Sequence, residues 1–524
     1  MEAIKKTIIE TSKQISKNTY EKILKTYTDE LIIGICTPIG SLSKPIIEAI
    51  DKTLKDEYGY DQIILLKISD FIKEYYKTEF EDERGKTHAY SELMYKINGG
   101  NYLRREYKNN SILIELAIKK IREDRDAIKT ENIKGRRVCY IIDSLKNIEE
   151  LRLLRAVYRD IFYLFSIFSP EDERIKTLLS KNLSEEEANE IIEKDDHEDF
   201  EHGQNVRETF VEGDFFVRSS NSNNLGIKVK IERYFHLIFN SKIIAPTYQE
   251  TAMYYAKSAS GNSSCLSRQV GATITDSNGM PLVQGWNDVP KCNGNLYNDS
   301  DNNPKRCKEL GYCKNVKYKN EVFDETVNKI KAILPKEKEA EDTMLHIVSS
   351  EKSILAESIE NIIRKSKFKD VIEYSRSIHA EMHAIVIGSQ LTGNRMVGGD
   401  LYCTTYPCHN CARHIVLAGI KNIYYIEPYK KSLCLTLHED SLTEKEESNN
   451  KKVQILLYDG IAPRRYLDFF SMGNDDRKEK SGEIKIKDLN TLSPKKRLSL
   501  QAIPELENQA IHALNTCGLI KIED

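Results

Sequence analysis

The chain has 524 residues, with 78 basic against 81 acidic side chains and a formal net charge of −3, a balance that gives no overall pull toward nucleic acid or an anionic surface. Its length exceeds what one hydrophobic core usually holds and suits two domains. Eleven cysteines, with no apolar leader and no run of about eighteen apolar residues, argue against a secreted or membrane-spanning class and set the expectation of a cytoplasmic protein whose cysteines serve metals, not disulfides.

Residues 1–28 read as an amphipathic helix. The stretch 30–36 (ELIIGIC) is an apolar run of buried-strand type, and after Thr-Pro-Ile-Gly-Ser-Leu-Ser-Lys a helix starts at Pro45 (45–50, PIIEAI). Strand, glycine-bearing loop and helix is the phosphate-loop order, in which backbone N–H groups and a helix N-terminus cradle a polyphosphate. Gly34, Gly40, Ser41, Ser43 and Lys44 are the candidate nucleotide-binding residues. The spacing departs from G-x-x-x-x-G-K-[ST], because five residues separate Gly34 from Gly40, Ser41 stands where lysine is needed and Lys44 comes late. Nucleotide binding without hydrolysis, as a sensor or signal receiver, is therefore expected. The stretch 137–143 (RVCYIID) is a second buried strand ending in Asp143, the acidic, metal-facing position of a nucleotide-kinase-like fold, followed by a helix at 151–158 and a strand at 162–168 (FYLFSIF). This alternation predicts a parallel, doubly wound sheet. The charged, Asn/Ser-rich stretch 183–226 reads as a lid and linker, and 228–240 as a helix leading onward.

Beyond that helix, 270–276 (VGATITD) and 282–286 (LVQGW) flank a glycine-containing turn and predict a hairpin. A polar insertion follows at about 290–370. Its Cys292, Cys307 and Cys313 are candidates for a second, structural zinc, with Cys265 or His383 as a fourth ligand. Its Lys/Glu-rich part, 324–369, predicts helix with a solvated face or an oligomer contact. Helical spacing at 378–387 (IHAEMHAIVI), a strand at 400–405 (DLYCTT), a helix at 411–417 and a strand at 422–426 (NIYYI) complete a three-layer α/β/α core. The stretch 437–452 reads as a charged loop, 458–470 (YDGIAPRRYLDFF) is expected to close this sheet with Tyr466 near a neighbouring site, and little pattern is visible from 471 onward.

Two fragments of that core carry chemistry: His379-Ala380-Glu381 and Pro407-Cys408-His409-Asn410-Cys411. One imidazole and two thiolates, at His379, Cys408 and Cys411, make a three-ligand zinc set that leaves a fourth position for water. Glu381, two residues past the histidine, is the candidate proton shuttle between water, a ring nitrogen and the leaving ammonia. Each fragment alone is commonplace, as a zinc knuckle, a redox pair or a helix accident. Their conjunction points to hydrolytic deamination.

With Ser267-Arg268-Gln269-Val270-Gly271-Ala272 and Gly285-Trp286-Asn287 standing before these fragments in family order, residues 246–470 resemble the deoxycytidylate deaminase branch of the cytidine deaminase superfamily. That resemblance implies that Asn287 bonds the sugar hydroxyl and that Arg268 contacts phosphate. The whole arrangement, a degenerate phosphate-loop domain fused in front of such a deaminase, resembles bacterial anti-phage dCTP/dCMP deaminases, and 141–147 (IIDSLKN) and 203–206 (GQNV) agree with that family. The implied organisation is a phosphate-loop kinase-like domain with lid (1–225), a connecting helix (226–245), a zinc-dependent deaminase domain (246–470) and a C-terminal tail (471–524). Implied too are free deoxycytidine nucleotides as substrates, a homo-oligomer that could be a hexamer, and an inhibitory RNA or other regulator as partner. Two other readings stay open: a deaminase editing RNA or DNA, marked by a basic groove at the pocket mouth, and a nucleotide-responsive binding module with structural zinc, which has no need of Glu381.

Overall fold

The computed structural model describes residues 19, 22–127, 136–196, 203–220, 224–333, 361–362, 374–429, 432–445, 451–473 and 477–520. Most of the expected helix at 1–28, and the part of the insertion from 334 to 360 and 363 to 373, lie outside them. Contacts divide the chain into two compact units, Met1–Glu250 with Asp459–Asp524, and Thr251–Tyr458. No helix among the described residues is long and apolar enough to cross a membrane.

In chain order the first unit contains β1 (Leu31–Cys36), α1 (Lys44–Tyr58), β2 (Gln62–Lys67), α2 (His88–Glu106), α3 (Ile112–Ala127), β3 (Val138–Asp143), α4 (Ile148–Tyr158), β4 (Phe162–Phe168), α5 (Glu171–Leu179), α6 (Glu185–Asp196), β5 (Phe215–Arg218) and α7 (Asn224–Ile238). β1 pairs in parallel with β3 and β4, β3 with β2, and β4 with β5. The continuous apolar runs of β1 and β4 are buried along their whole length, as strands covered on both faces must be. The expected parallel α/β sheet is present. One correction concerns 183–226: instead of serving only as lid and linker, it supplies α6 and the sheet strand β5. The four residues FFVR are too short to stand out within a charged stretch.

The second unit contains β6 (Gly271–Thr275), β7 (Pro281–Trp286), α8 (Lys314–Ile333), α9 (Ala380–Thr392), β8 (Asp400–Thr405), α10 (His409–Leu417), β9 (Asn422–Glu427), β10 (Leu442–Thr443) and β11 (Val453–Leu457). Its sheet runs β10-β11-β9-β8-β6-β7, antiparallel where β6 meets β7 and β8 and parallel elsewhere. The charged stretch 437–452 thus holds an edge strand.

A second correction concerns 458–470. After β11 the chain leaves this sheet, and β12 (Gly460–Ile461) pairs antiparallel with β5 of the first unit. Phe469, on α11 (Tyr466–Phe470), is buried in the first unit's core and stacks on Phe215 and Tyr163. The buried Asp214 carboxylate accepts from Arg464 at 2.6 Å and Arg465 at 2.7 Å. The tail from 471 is likewise structural: α12 (Ile503–Thr516) brings buried Glu507 to Arg125 of α3 and to the Tyr158 hydroxyl at 2.9 Å, and Arg125 also bonds buried Glu30 at 2.9 Å. A buried charge needs such partners, so the boundaries 1–225, 246–470 and 471–524 give way to this division.

α9 packs on β6 and β7 at close range because Gly285 has no side chain: a Cβ there would stand 2.4 Å from the Ala380 carbonyl oxygen and 2.5 Å from the Ala384 nitrogen. His383 locks the same contact, its Nδ1 accepting from the Trp286 N–H at 3.2 Å while Nε2 meets Asn295 Oδ1 at 3.1 Å. Gly285→Ala is expected to lower stability by about 1–3 kcal/mol, the usual range for overpacking, and to be read in denaturant unfolding of the full chain; an unchanged midpoint would show that α9 can retreat freely.

Candidate active site

The expected site residues of the second unit come together through two helix N-termini. His379 is the N-cap of α9 and Cys408 the N-cap of α10, both with extended backbone, and β8 leads directly into the Tyr406-Pro407-Cys408 turn. Helix starts at 380 and 409 place each ligating residue just outside its helix, where free N–H groups and the helix dipole favour negative sulfur. Cys411 lies in the first turn of α10 and is fully buried.

His379 Nδ1 stands 3.3 Å from Cys408 Sγ and 3.4 Å from Cys411 Sγ. Tetrahedral zinc with ordinary Zn–N and Zn–S bonds places imidazole nitrogen and sulfur about 3.5 Å apart, so these side chains fit that ion without rearrangement. Among the described residues this is the one cluster of three or more His, Cys or acidic groups whose ligand atoms all lie within 4.8 Å of one another. A hydrogen bond from Cys411, helped by His379 and opposed by burial, holds the Cys408 thiol down to about 4. Burial pushes the Cys411 thiol well up, and a hydrogen bond to Cys408 raises His379 to about 9. Glu381 is 4% exposed, and burial raises its carboxyl to about 7 while His379 opposes the rise.

His379, Glu381 and Cys408 line a cavity of about 380 Å³, a volume suited to a small ligand. Asn287 lines its buried end. The Asn287 amide is fixed, Oδ1 accepting from the Val270 N–H at 2.7 Å and Nδ2 donating to the Arg268 carbonyl at 3.0 Å, which leaves each amide atom one further hydrogen-bonding position. Arg268 lines the cavity with its side chain half exposed, and Nη1 pairs with Glu427 at 3.0 Å. Lys314, Lys319 and Arg376, which pattern alone did not single out, line it as well. The signal for them is positional: Arg376 precedes His379 by three residues, and Lys314 follows Cys313.

The cysteines expected at a second zinc separate. Cys292 is exposed and its thiol turns to Asn293, and His383 is engaged by Trp286 and Asn295. Cys265, Cys307 and Cys313 do line the cavity, yet their sulfurs are not all within 4.8 Å of one another.

In the first unit the phosphate-loop residues divide differently. Gly34 is inside β1, paired between Ile142 and Leu164, where a Cβ would stand 2.6 Å from Leu145 Cδ1. It is a packing residue of the strand, and its expected part in nucleotide binding is corrected. Gly40 has a positive φ of 82°, the Ser41 hydroxyl accepts from the Ser169 N–H at 3.2 Å, and Ser43 is the N-cap of α1 without a side-chain cap bond. Lys44 is 87% exposed beside Glu48. Burial raises the Asp143 carboxyl, with Lys146 and Lys67 opposing. Asp195, from the end of α6, closes onto this loop. Its carboxylate, 1% exposed, accepts from the Ile39 N–H at 2.6 Å and from Lys146 Nζ at 2.8 Å.

Comparison with known proteins bears on the second unit. Residues 246–427 match the family described as "Cytidine and deoxycytidylate deaminase zinc-binding region". ComE operon protein 2 of Bacillus subtilis (strain 168) is 48% identical over 56 residues, 11% of this chain and 29% of that protein. Deoxycytidylate deaminase of Enterobacteria phage T4 is 40% identical over 55 residues, 10% of this chain and 28% of that one. The chain therefore spans less than a third of the length of these curated relatives. A crystal structure of dCMP deaminase from the cyanophage S-TIM5 in apo form aligns over 100% of its own chain and 41% of this one, at 19% identity and a TM-score of 0.22. The second unit thus carries a match to the zinc-binding region of the cytidine and deoxycytidylate deaminases, with His379, Cys408 and Cys411 inside it.

Two outcomes are expected. Metal analysis of purified protein should find about one zinc per chain bound by this cluster, lost on Cys411→Ser; retention of full zinc by that variant would place the metal elsewhere. In the first unit, Asp195→Asn should gain a pyrophosphate-dependent rise in Tm beyond that of the wild-type chain, because the substitution weakens the carboxylate's hold on Ile39 and Lys146. Equal responses would show that the carboxylate does not block the loop.

Proposed function

We propose that the protein hydrolyses the exocyclic amine of deoxycytidine nucleotides, dCTP, dCMP or both, to give deoxyuridine nucleotides and ammonia. The observation that carries this reading is the buried Glu381 carboxyl beside the His379, Cys408 and Cys411 cluster, in a cavity that also presents Asn287. A structural zinc site takes four protein ligands and has no use for such a carboxyl.

A zinc ion held by His379, Cys408 and Cys411 would supply Lewis-acid activation of water. Glu381 takes a proton from the attacking water and delivers it to the ring nitrogen; a second transfer through the same carboxyl lets the amine leave as ammonia. Its elevated proton affinity, caused by burial, suits a group that must both accept and donate near neutrality. Asn287, with its amide fixed by Val270 and Arg268, orients the sugar. Arg268 contacts the first phosphate.

For the whole protein we read a cytoplasmic homo-oligomer, a hexamer or another closed form, that depletes the deoxycytidine nucleotide pool during phage infection. The first unit receives the controlling signal, whether a nucleotide, an inhibitory RNA or another regulator. Support for this wider reading comes from the fused arrangement of a parallel α/β unit and a deaminase unit. The basic side chains lining the cavity keep a second reading in view, editing of single-stranded nucleic acid.

The test is ammonia release and product analysis with dCTP, dCMP, CTP, dATP and a short single-stranded DNA. Deoxyuridine nucleotide is expected from dCTP or dCMP. Glu381→Gln should lower turnover about 10²–10⁴-fold while zinc content stays at the wild-type level. Product from the DNA alone would favour the second reading.

A further inference from the structure

Resting on the deaminase reading, the next question is which phosphate chain the cavity accepts. We infer that Lys314 and Arg376 form a seat for the second and third phosphates of a deoxycytidine triphosphate and make it the preferred substrate over the monophosphate.

Four cations line the cavity, Arg268, Lys314, Lys319 and Arg376, against one carboxylate, Glu381. Burial sorts them: Glu381 and Asn287 are buried, whereas Arg268 and Arg376 are exposed, so the reacting group and the charged end of the substrate have separate places. Arg268 is paired with Glu427, and its net charge toward a ligand is reduced. The surplus positive charge comes from Lys314 of the insertion and from Arg376 just past its end. Among the described residues no carboxylate pairs with Lys314 or Arg376. A monophosphate carries about two negative charges at neutral pH, and each further phosphate adds more, so a cation surplus beyond Arg268 is matched by a longer chain.

The insertion holds these cations in place. Lys314 opens α8, a 20-residue helix whose first-turn N–H groups add positive potential at the cavity wall. The Cys307 sulfur meets the Lys314 backbone N–H. Just before it, Arg306, 2% exposed, bonds Glu309 at 2.6 Å and fixes the turn. Arg376 Nη1 donates to the Lys305 carbonyl at 3.1 Å, which ties the far end of the insertion to its start. Cations from both ends thereby converge on one cavity wall.

The experiment compares deamination of dCMP and dCTP by the full-length zinc-loaded protein, by Lys314→Ala, Arg376→Ala and their double variant, and by Arg376→Lys. Binding of dCTP, dCMP and a short single-stranded DNA is read in parallel by calorimetry. The wild type should favour dCTP in kcat/KM and in affinity. Each alanine variant should lose about tenfold on dCTP, the scale of one charge-assisted hydrogen bond, with little change on dCMP, while Arg376→Lys restores part of the loss and zinc content and Tm stay near wild type. An unchanged dCTP-to-dCMP ratio in the variants, or equal losses on both nucleotides, would overturn the seat while leaving the deaminase reading intact. Preferential dCTP binding that disappears in the variants of a protein that deaminates nothing would uphold the seat and sink the deaminase reading. Tighter binding of the DNA than of dCTP would assign these cations to a nucleic-acid backbone and overturn the inference.

Discussion

Everything in the second unit serves the burial of two sulfurs and an imidazole at one point. Buried thiols resist ionising, as Cys411 does, so sulfur can serve as a ligand only where something opposes that desolvation. Here the fold brings two helix N-termini to the same place, with His379 and Cys408 as their N-caps. The parallel pairing of β8 with β9 and the antiparallel pairing with β6 set the height at which β8 delivers Cys408. Gly285 and His383 set the height of α9 against β7. A shift of either helix by an ångström would separate ligands that now lie 3.3 to 3.4 Å apart.

Much of this was legible in the sequence because the determinants are local. The hairpin follows from alternation and a glycine turn, and the ligand set follows from H-x-E and P-C-x-x-C spacing, since one helix turn suffices to bring Cys408 and Cys411 together. β1, β3 and β4 were legible as apolar runs. What sequence could not provide was partnership across long separations. β12 pairs with β5 across more than two hundred positions of chain, and Glu507 meets Arg125 and Tyr158 across a still longer span; nothing in YDGIAPRRYLDFF says which sheet edge it will find. β5 escaped because four residues cannot establish a period. Gly34 was given a nucleotide-binding role for a related reason: a glycine needed for phosphate approach and one needed for packing look alike until Leu145 and Phe162 are seen against it.

The insertion shows the same limit at the site itself. Cysteine count grouped Cys292, Cys307 and Cys313, but the chain turns Cys292 outward and places Cys265, Cys307 and Cys313 along the cavity. Position in sequence grouped thiols, whereas position in space groups cations. Arg376 and Lys314 are separated by an insertion and united by the Arg376 bond to the Lys305 carbonyl.

The two units satisfy their cations in opposite ways. In the first, the Ile39 N–H and the Lys146 ammonium are satisfied by the chain's own Asp195, which is almost fully buried. Removing such a carboxylate leaves a cation and an N–H donor unmet, so an incoming phosphate gains only the difference between its contacts and those it displaces. In the second unit Lys314 and Arg376 meet no carboxylate among the described residues, and Arg376 is held only by the neutral Lys305 carbonyl. The first arrangement is thus closed on itself and holds the fold, whereas the second leaves its cations facing the cavity, as the proposed polyphosphate seat requires.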